Sequence, residues 1–419
     1  MSDYPKIFRV RQKKERPQVD DVAGEVERHL ASLDLAKKVK PGQSVAITAG
    51  SRGIANIHTI IKTVVDHLKR LGLEPFIVPA MGSHGGGTAE GQRRILEGYD
   101  ITEELIGCPI RATMETVIVC DTPEGIPVHF DRYAYEADHV VVCGRIKPHT
   151  KFVGEIESGM MKMMLIGLGK HAGAKIYHRA ILDLSFEKIV RSVAGQVMSR
   201  CNILAGLGIV ENAYDETAEI AAVAPEDLIE REKELLVLAK RWLPRLPFKR
   251  VDVLIVDEMG KNISGSGMDT NVVGRKVDNT VPEDERVHVK RIIVRGLTEE
   301  THGNACGIGY ADFVTSRALQ QMDVEATVIN CLTGGAPFAA KIPISYDSDR
   351  KLLDLALGSV GLTEPPDARI SWIRNTLEVT EVECSVAYWD EAQGRDDLEV
   401  ILEPRDLQFD ADDNLISRG

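Results

Sequence analysis

A chain of 419 residues is longer than a single hydrophobic core usually organises, so two domains are expected. Its formal charge of -13 excludes nucleic acid and anionic membranes as main partners, because both call for clustered Lys and Arg. No apolar run reaches membrane-spanning length, and the Met-Ser-Asp-Tyr-Pro-Lys start lacks the layout of a signal peptide. Seven dispersed cysteines without a Cys-x-x-Cys read as reduced core thiols, which fits a cytoplasmic protein.

Residues 44–48 form the first β-rich run and end in Ala-Gly-Ser-Arg-Gly. Ile60, Ile61, Val64, Val65 and Leu68 then repeat at helical spacing within 57–71. A second run, 75–79, ends in Ala-Met-Gly-Ser-His-Gly-Gly-Gly, and Thr88 is placed to cap a helix over 88–97. Asp121-Thr-Pro-Glu-Gly-Ile-Pro reads as a hairpin turn between 113–120 and 128–130, and the apolar run 139–143 follows. Strand, glycine-rich loop and helix in repetition predict an open parallel sheet, in which ligands bind beyond the carboxyl ends of the strands. The loops at 51–53, 82–87 and 148–159 therefore open on one edge.

Further on, 225–243 reads as a charged amphipathic helix ending at Pro244, and 251–256 as a strand. The Gly/Ser/Asn-rich stretch 260–274 lacks periodicity and marks a boundary, so that 1–265 and 266–419 form two α/β domains. In the second, 287–294 and 324–330 read as strands, and the acidic tail from Glu391 is expected to close over the surface.

The stretch 148–179 carries the most chemistry. It gathers His149, His171 and His178, three of eleven histidines, around Lys162, which sits among Met160, Met161, Met163 and Met164. Imidazoles titrate near neutrality and bind metals. A lysine in apolar surroundings favours its neutral, nucleophilic form, although a lysine snorkelling from a helix is the plainer reading. His84 stands among glycines between a strand and a helix, where the backbone approaches a ligand closely and the helix N-terminus favours an anion. Arg52 ends the first strand and is suited to grip a carboxylate or phosphate. Pro148 stiffens the approach to His149. Lys261, His302, Asn304 and Lys341 lie in loops after apparent strands, and Lys341 is the preferred phosphate or substrate contact among them.

Together, the Gly-x-His loop, Pro148-His149, Lys162 and His178 resemble the nickel-dependent lactate racemase family, over residues 40–180. That resemblance implies two α/β domains with mainly parallel sheets, with cofactor and active site in the cleft between them. It implies a nickel pincer nucleotide held covalently by Lys162, with His178 completing the Ni2+ coordination. It further implies His84 and His149 as paired acid/base residues and Arg52 as substrate contact. The activity implied is an isomerase, a racemase or epimerase inverting Cα of a 2-hydroxyacid. Its partners would be that small-molecule substrate and the enzymes that build the cofactor; homo-oligomerisation stays open. Lactate-specific members carry an acidic residue three positions before the arginine, where this chain has Ala49. The family's small polar residue after the second histidine is replaced by Lys151, and its Gly-Arg pair beside the lysine by Met-Met. Two other classes remain: a metal-dependent hydrolase or lyase with histidines as direct ligands, and a non-catalytic carrier of nickel or the nucleotide.

Overall fold

The computed structural model describes residues 4–51, 53–276 and 287–416. It divides into two compact units. One comprises Arg16–His149 and Val153–Leu243; the other takes the chain up to Glu15, Thr150–Phe152 and the chain from Pro244 on. In chain order the strands are β1 (Ile7–Gln12), β2 (Ser44–Ala49), β3 (Glu74–Pro79), β4 (Thr116–Asp121), β5 (Pro127–Asp131), β6 (His139–Arg145), β7 (Ile203–Glu211) and β8 (Thr217–Val223), followed by β9 (Arg250–Val256), β10 (His288–Val294), β11 (Phe313–Thr315), β12 (Ile344–Tyr346), β13 (Ile370–Ile373), β14 (Glu381–Ser385) and β15 (Leu398–Arg405).

The first unit is built on a five-stranded sheet of order β3-β2-β6-β7-β8. All its pairings are parallel except that of β7 with β8. Helix Ile57–Arg70 turns Ile60, Ile61, Val64, Val65 and Leu68 into a core with Ile47, Val141, Leu207 and Ile209. Each such side chain withdrawn from water contributes about 1.5–3 kcal/mol. The other face of β7 carries glycine at its middle two positions, Gly206 and Gly208. A Cβ on Gly206 would stand 2.6 Å from Met160 Sδ and 2.3 Å from a Leu228 methyl, so two glycines make room for the lysine-bearing segment. The expected hairpin is the antiparallel β4–β5 pair, and Thr88 accepts from Gly91 N (3.0 Å) to cap helix Ala89–Glu97.

The second unit carries an eight-stranded sheet of order β12-β11-β10-β9-β13-β14-β1-β15. Its pairings are parallel from β12 to β13 and antiparallel from β13 to β15. Two expectations change here. The boundary placed at 265 falls after Leu243, because β9 pairs with β10 and β13 inside this sheet, and β1 crosses from the N-terminus to lie between β14 and β15. Residues 324–330 are not a strand but the start of helix Val324–Thr333, with Asp323 accepting from Ala326 N (2.9 Å) as its cap. Thr327 and Cys331 are its buried positions, four apart on one helical face, whereas Val324, Val328, Ile329 and Leu332 are exposed. The acidic tail forms β15, an edge strand.

Candidate active site

The carboxyl ends of β2, β3 and β6 converge, within the first unit, on one short helical segment. Met160–Lys162 is a single α-turn that continues as a π-helical turn, Met163–Gly167, and then as helix Lys170–Asp183. π-turns insert a residue at a cost in stability and recur at functional sites. This one is touched by each strand end. Cβ atoms built on Gly50, after β2, and on Gly144, in β6, would lie 3.5 and 2.8 Å from the Met163 side chain. One built on Gly82, after β3, would lie 3.0 Å from Ile166. The three loops expected on one edge are therefore gathered around the segment that carries Lys162.

Lys162 is half-buried, and its Nζ donates to Ser158 Oγ (3.1 Å). Ser158 in turn pairs by backbone with Lys147, in both directions at 2.9 and 3.2 Å. That bridge closes the loop bearing His149 and ties it to the lysine. His149 donates its backbone N–H to the buried Glu157 Oε2 (2.6 Å), and its ring stacks on Phe186 at 5.8 Å. Glu157 also accepts from Lys240 Nζ at 2.7 Å, so the carboxylate that orients the loop is itself paired. Met160, Met161 and Met164, its neighbours in the chain, are all buried, and Met160 packs against Gly206 and Gly208 of β7.

His84 leads into the Gly85–Gly87 turn, and its Nδ1 shares a 2.7 Å hydrogen bond with the Ser51 hydroxyl. The hydroxyl accepts from Nδ1–H or donates to a bare Nδ1 according to the tautomer, and either way it fixes the ring and leaves Nε2 facing away from Ser51. Gly85 has φ +65, and a Cβ there would stand 2.5 Å from the Gly91 backbone, so the turn admits glycine alone at that place. Beneath it lies Lys170, wholly buried, 2.9 Å from the wholly buried Asp131, with Nζ donating to Pro79 O and, at 3.5 Å, to Gln92 Oε1. Burial lowers its pKa against the raising effect of Asp131. Gln92 Nε2 donates to Gly82 O (2.9 Å) and His84 O (3.3 Å). A buried charge pair thus supports the backbone of the His84 loop.

His178 lies half-buried on helix Lys170–Asp183. The adjacent Tyr177 is buried; its hydroxyl accepts from His129 N (2.8 Å) and donates to Pro127 O (3.2 Å), which pins the helix to β5. His171 sits at the same helix's first turn, 3.6 Å from where a Gly87 Cβ would be, and so packs on the His84 loop. Arg52 lies outside the described residues. Lys341 belongs to the other compact unit, exposed after the turn Pro337–Ala340. Among the described residues, no three of His, Cys, Asp and Glu are grouped to hold a metal ion. No helix among them is long and apolar enough to cross a membrane.

Glu232 escaped the sequence reading, hidden in the charged run Glu230-Arg231-Glu232-Lys233-Glu234. It is buried, and its Oε2 accepts from Met161 N (2.9 Å) at the start of the Lys162 turn. A Cβ on Gly159 would stand 2.4 Å from its Oε1. Burial pushes its pKa up to about 7, against the lowering effect of the Met161 and Met160 amides. The signal was present: Leu228, Glu232, Leu235, Leu236 and Ala239 share one helical face.

Residues 4–188 match the family described as the lactate racemase N-terminal domain, and that span takes in Arg52, His84, His149, Lys162 and His178. No curated protein matches the chain. Among solved structures, the lactate racemase apoprotein from Thermoanaerobacterium thermosaccharolyticum is similar, with a TM-score of 0.55 at 14% identity, over 88% of this chain and 94% of that one. At that identity the likeness speaks for the fold: a mixed α/β architecture with mostly parallel sheets. Over residues 4–188 the chain thus resembles a lactate racemase N-terminal domain, within a fold that matches.

Proposed function

We propose that this protein is a racemase or epimerase of 2-hydroxyacids that works with a nickel pincer nucleotide. The observation that carries the reading is the convergence of the β2, β3 and β6 ends on the π-turn after Lys162, which gathers the Ser51–His84 pair, the His149 loop and Lys162 in one unit. The donor set suits the cofactor. One half-buried amine is available for covalent attachment and one imidazole, His178, for nickel; a metal held mainly by the cofactor's own sulfurs needs a single protein ligand. The absence of a three-ligand group among the described residues weighs against a hydrolase or lyase with histidines as direct ligands.

When bound, the nucleotide supplies an electrophilic acceptor for the electron pair of the substrate Cα–H, which is far too weakly acidic to lose as a proton. The protein's share is proton transfer and orientation. One of His84 and His149 takes the hydroxyl proton as the centre becomes planar, and the other returns a proton when the opposite face is rebuilt; inversion needs one base on each side. The Ser51 hydroxyl on His84 Nδ1, and the Glu157 carboxylate on the backbone of His149, hold the two residues in place. Arg52 is assigned the substrate carboxylate, which must stay anchored while the centre inverts. Ala49, buried at the end of β2, stands where lactate-specific members carry an acid, so the substrate is a 2-hydroxyacid other than lactate. A non-catalytic carrier would have no use for a histidine supported by Ser51, Gln92 and the Lys170–Asp131 pair.

Intact mass of the protein co-expressed with the cofactor-building enzymes tests attachment: an adduct is expected, and Lys162→Ala abolishes it. Polarimetry on single-enantiomer 2-hydroxyacids then tests catalysis. Inversion should fall by at least ~100-fold in His84→Ala and in His149→Ala, with the adduct retained. An adduct that persists in Lys162→Ala would sink the reading.

A further inference from the structure

The second unit holds a pair of thiols that the proposed reaction does not use. Cys306 Sγ and Cys331 Sγ lie 3.3 Å apart, one in the turn after Asn304 and the other on helix Val324–Thr333. Cys306 is partly exposed and Cys331 is buried behind it. Two lysines attend them. Lys261 Nζ donates to Asn330 Oδ1 (2.7 Å), beside Cys331, and to Gly265 O (2.6 Å). Lys151 Nζ donates to Gly334 O, just beyond the same helix, and burial lowers its pKa. The hydrogen bond from Cys331, together with the charges of Lys261 and Lys151, favours the thiolate at Cys306 against the opposing effect of burial. Elsewhere burial pushes thiols the other way: Cys108 up to about 11, and Cys143 and Cys201 each up to about 12.

We infer that Cys306 and Cys331 form a peroxide-reactive dithiol, Cys306 as the sulfur attacked by oxidant and Cys331 as its resolving partner. The more exposed sulfur meets the oxidant, and the second stands within contact of it, which is the arrangement expected of an oxidation-sensing pair. The Cys306 thiolate attacks one oxygen of hydrogen peroxide; the O–O bond breaks, the leaving hydroxide is protonated to water, and the sulfur, oxidised by two electrons, becomes a sulfenic acid. Cys331 then attacks that sulfur, its proton leaves with the hydroxyl as a second water, and the disulfide forms. Two thiols and one peroxide thus yield one disulfide and two waters. This site is independent of the racemase reading.

The full chain is treated at pH 7 with a few equivalents of hydrogen peroxide, alkylated, digested and analysed by mass spectrometry. Two of the seven thiols should disappear at least ~10-fold faster than any other, as a Cys306–Cys331 cross-link that dithiothreitol reverses. In Cys331→Ser, Cys306 should stop as a sulfenic acid trapped by dimedone; in Cys306→Ser, Cys331 should remain a thiol. Retention of all seven thiols under peroxide that oxidises free cysteine overturns the inference, and so does dimedone labelling of Cys331 in Cys306→Ser.

Discussion

Glu232 offers a test in which stability, not activity, reports on the lysine-bearing turn. Its carboxyl is buried with Met161 N as its hydrogen-bond donor at 2.9 Å, and burial raises its pKa from 4.5 to about 7. A folded-state pKa above the unfolded one means that the native protein binds this proton more tightly. The stabilisation is therefore complete below pH ~4.5 and is lost as pH rises toward and through ~7. A rise of that size corresponds to about 3 kcal/mol. Glu232→Gln keeps a carbonyl oxygen for Met161 N and cannot ionise. Denaturant unfolding of both proteins at pH 4.5 and pH 8 isolates the group: the stability of Glu232→Gln relative to the parent should rise by about 3 kcal/mol between the two. Other titrating groups cancel in that difference. Equal pH slopes for the two proteins would refute the argument, because the carboxyl would then be paying no burial cost. Glu232→Ala opens a cavity and strips the Met161 amide of its acceptor; it should destabilise by about 2–4 kcal/mol at pH 4.5 and, sharing the same pH term, by about 3 kcal/mol less at pH 8.

Three further outcomes follow from the site. Lys170→Met leaves the buried Asp131 carboxylate without its cation and should cost about 3–5 kcal/mol by chemical denaturation, with Asp131→Asn in the same chain recovering part of the loss. Gly85→Ala places a Cβ 2.5 Å from the Gly91 backbone and should lower Tm far more than Gly86→Ala, where the added Cβ meets open space and only the positive φ is strained; equal Tm values would refute the packing argument. Ser51→Ala removes the partner of His84 Nδ1 and should lower kcat of the inversion by about tenfold with the Lys162 adduct unchanged by mass; an unaltered kcat would show that the ring needs no such support.

Where strand and loop chemistry were local, they were legible. The β2 and β3 runs, the Thr88 cap, the hairpin at 121–127 and the helix after β2 all fall where alternation, spacing and turn residues placed them. His84, His149 and His178 stand out as candidates because histidine is rare in this chain, and Lys162 because methionines flank it on both sides. Helix Val324–Thr333 was misread because Val, Thr and Ile favour strands intrinsically, whereas the Asp323 cap and the burial of Thr327 and Cys331 decide for a helix. Lys170 and Glu232 look like solvent-facing charges until their partners, Asp131 and Met161 N, arrive from distant parts of the chain.

By itself, then, the sequence determined most of the local units of the first half: the strands β2, β3 and β6, the glycine loops that interrupt them, and which residues are candidates for proton and cofactor chemistry. Those properties depend on neighbours a few positions apart, where propensity, capping and side-chain periodicity act. Only the tertiary structure decided what meets what. It drew β1 into the sheet built by the C-terminal half and moved the domain boundary to Leu243. It set a π-turn after Lys162 against three strand ends, and brought Cys331 beside Cys306. Each of these rests on pairing or packing between segments far apart in the chain, whose free energy appears only when both surfaces leave water together.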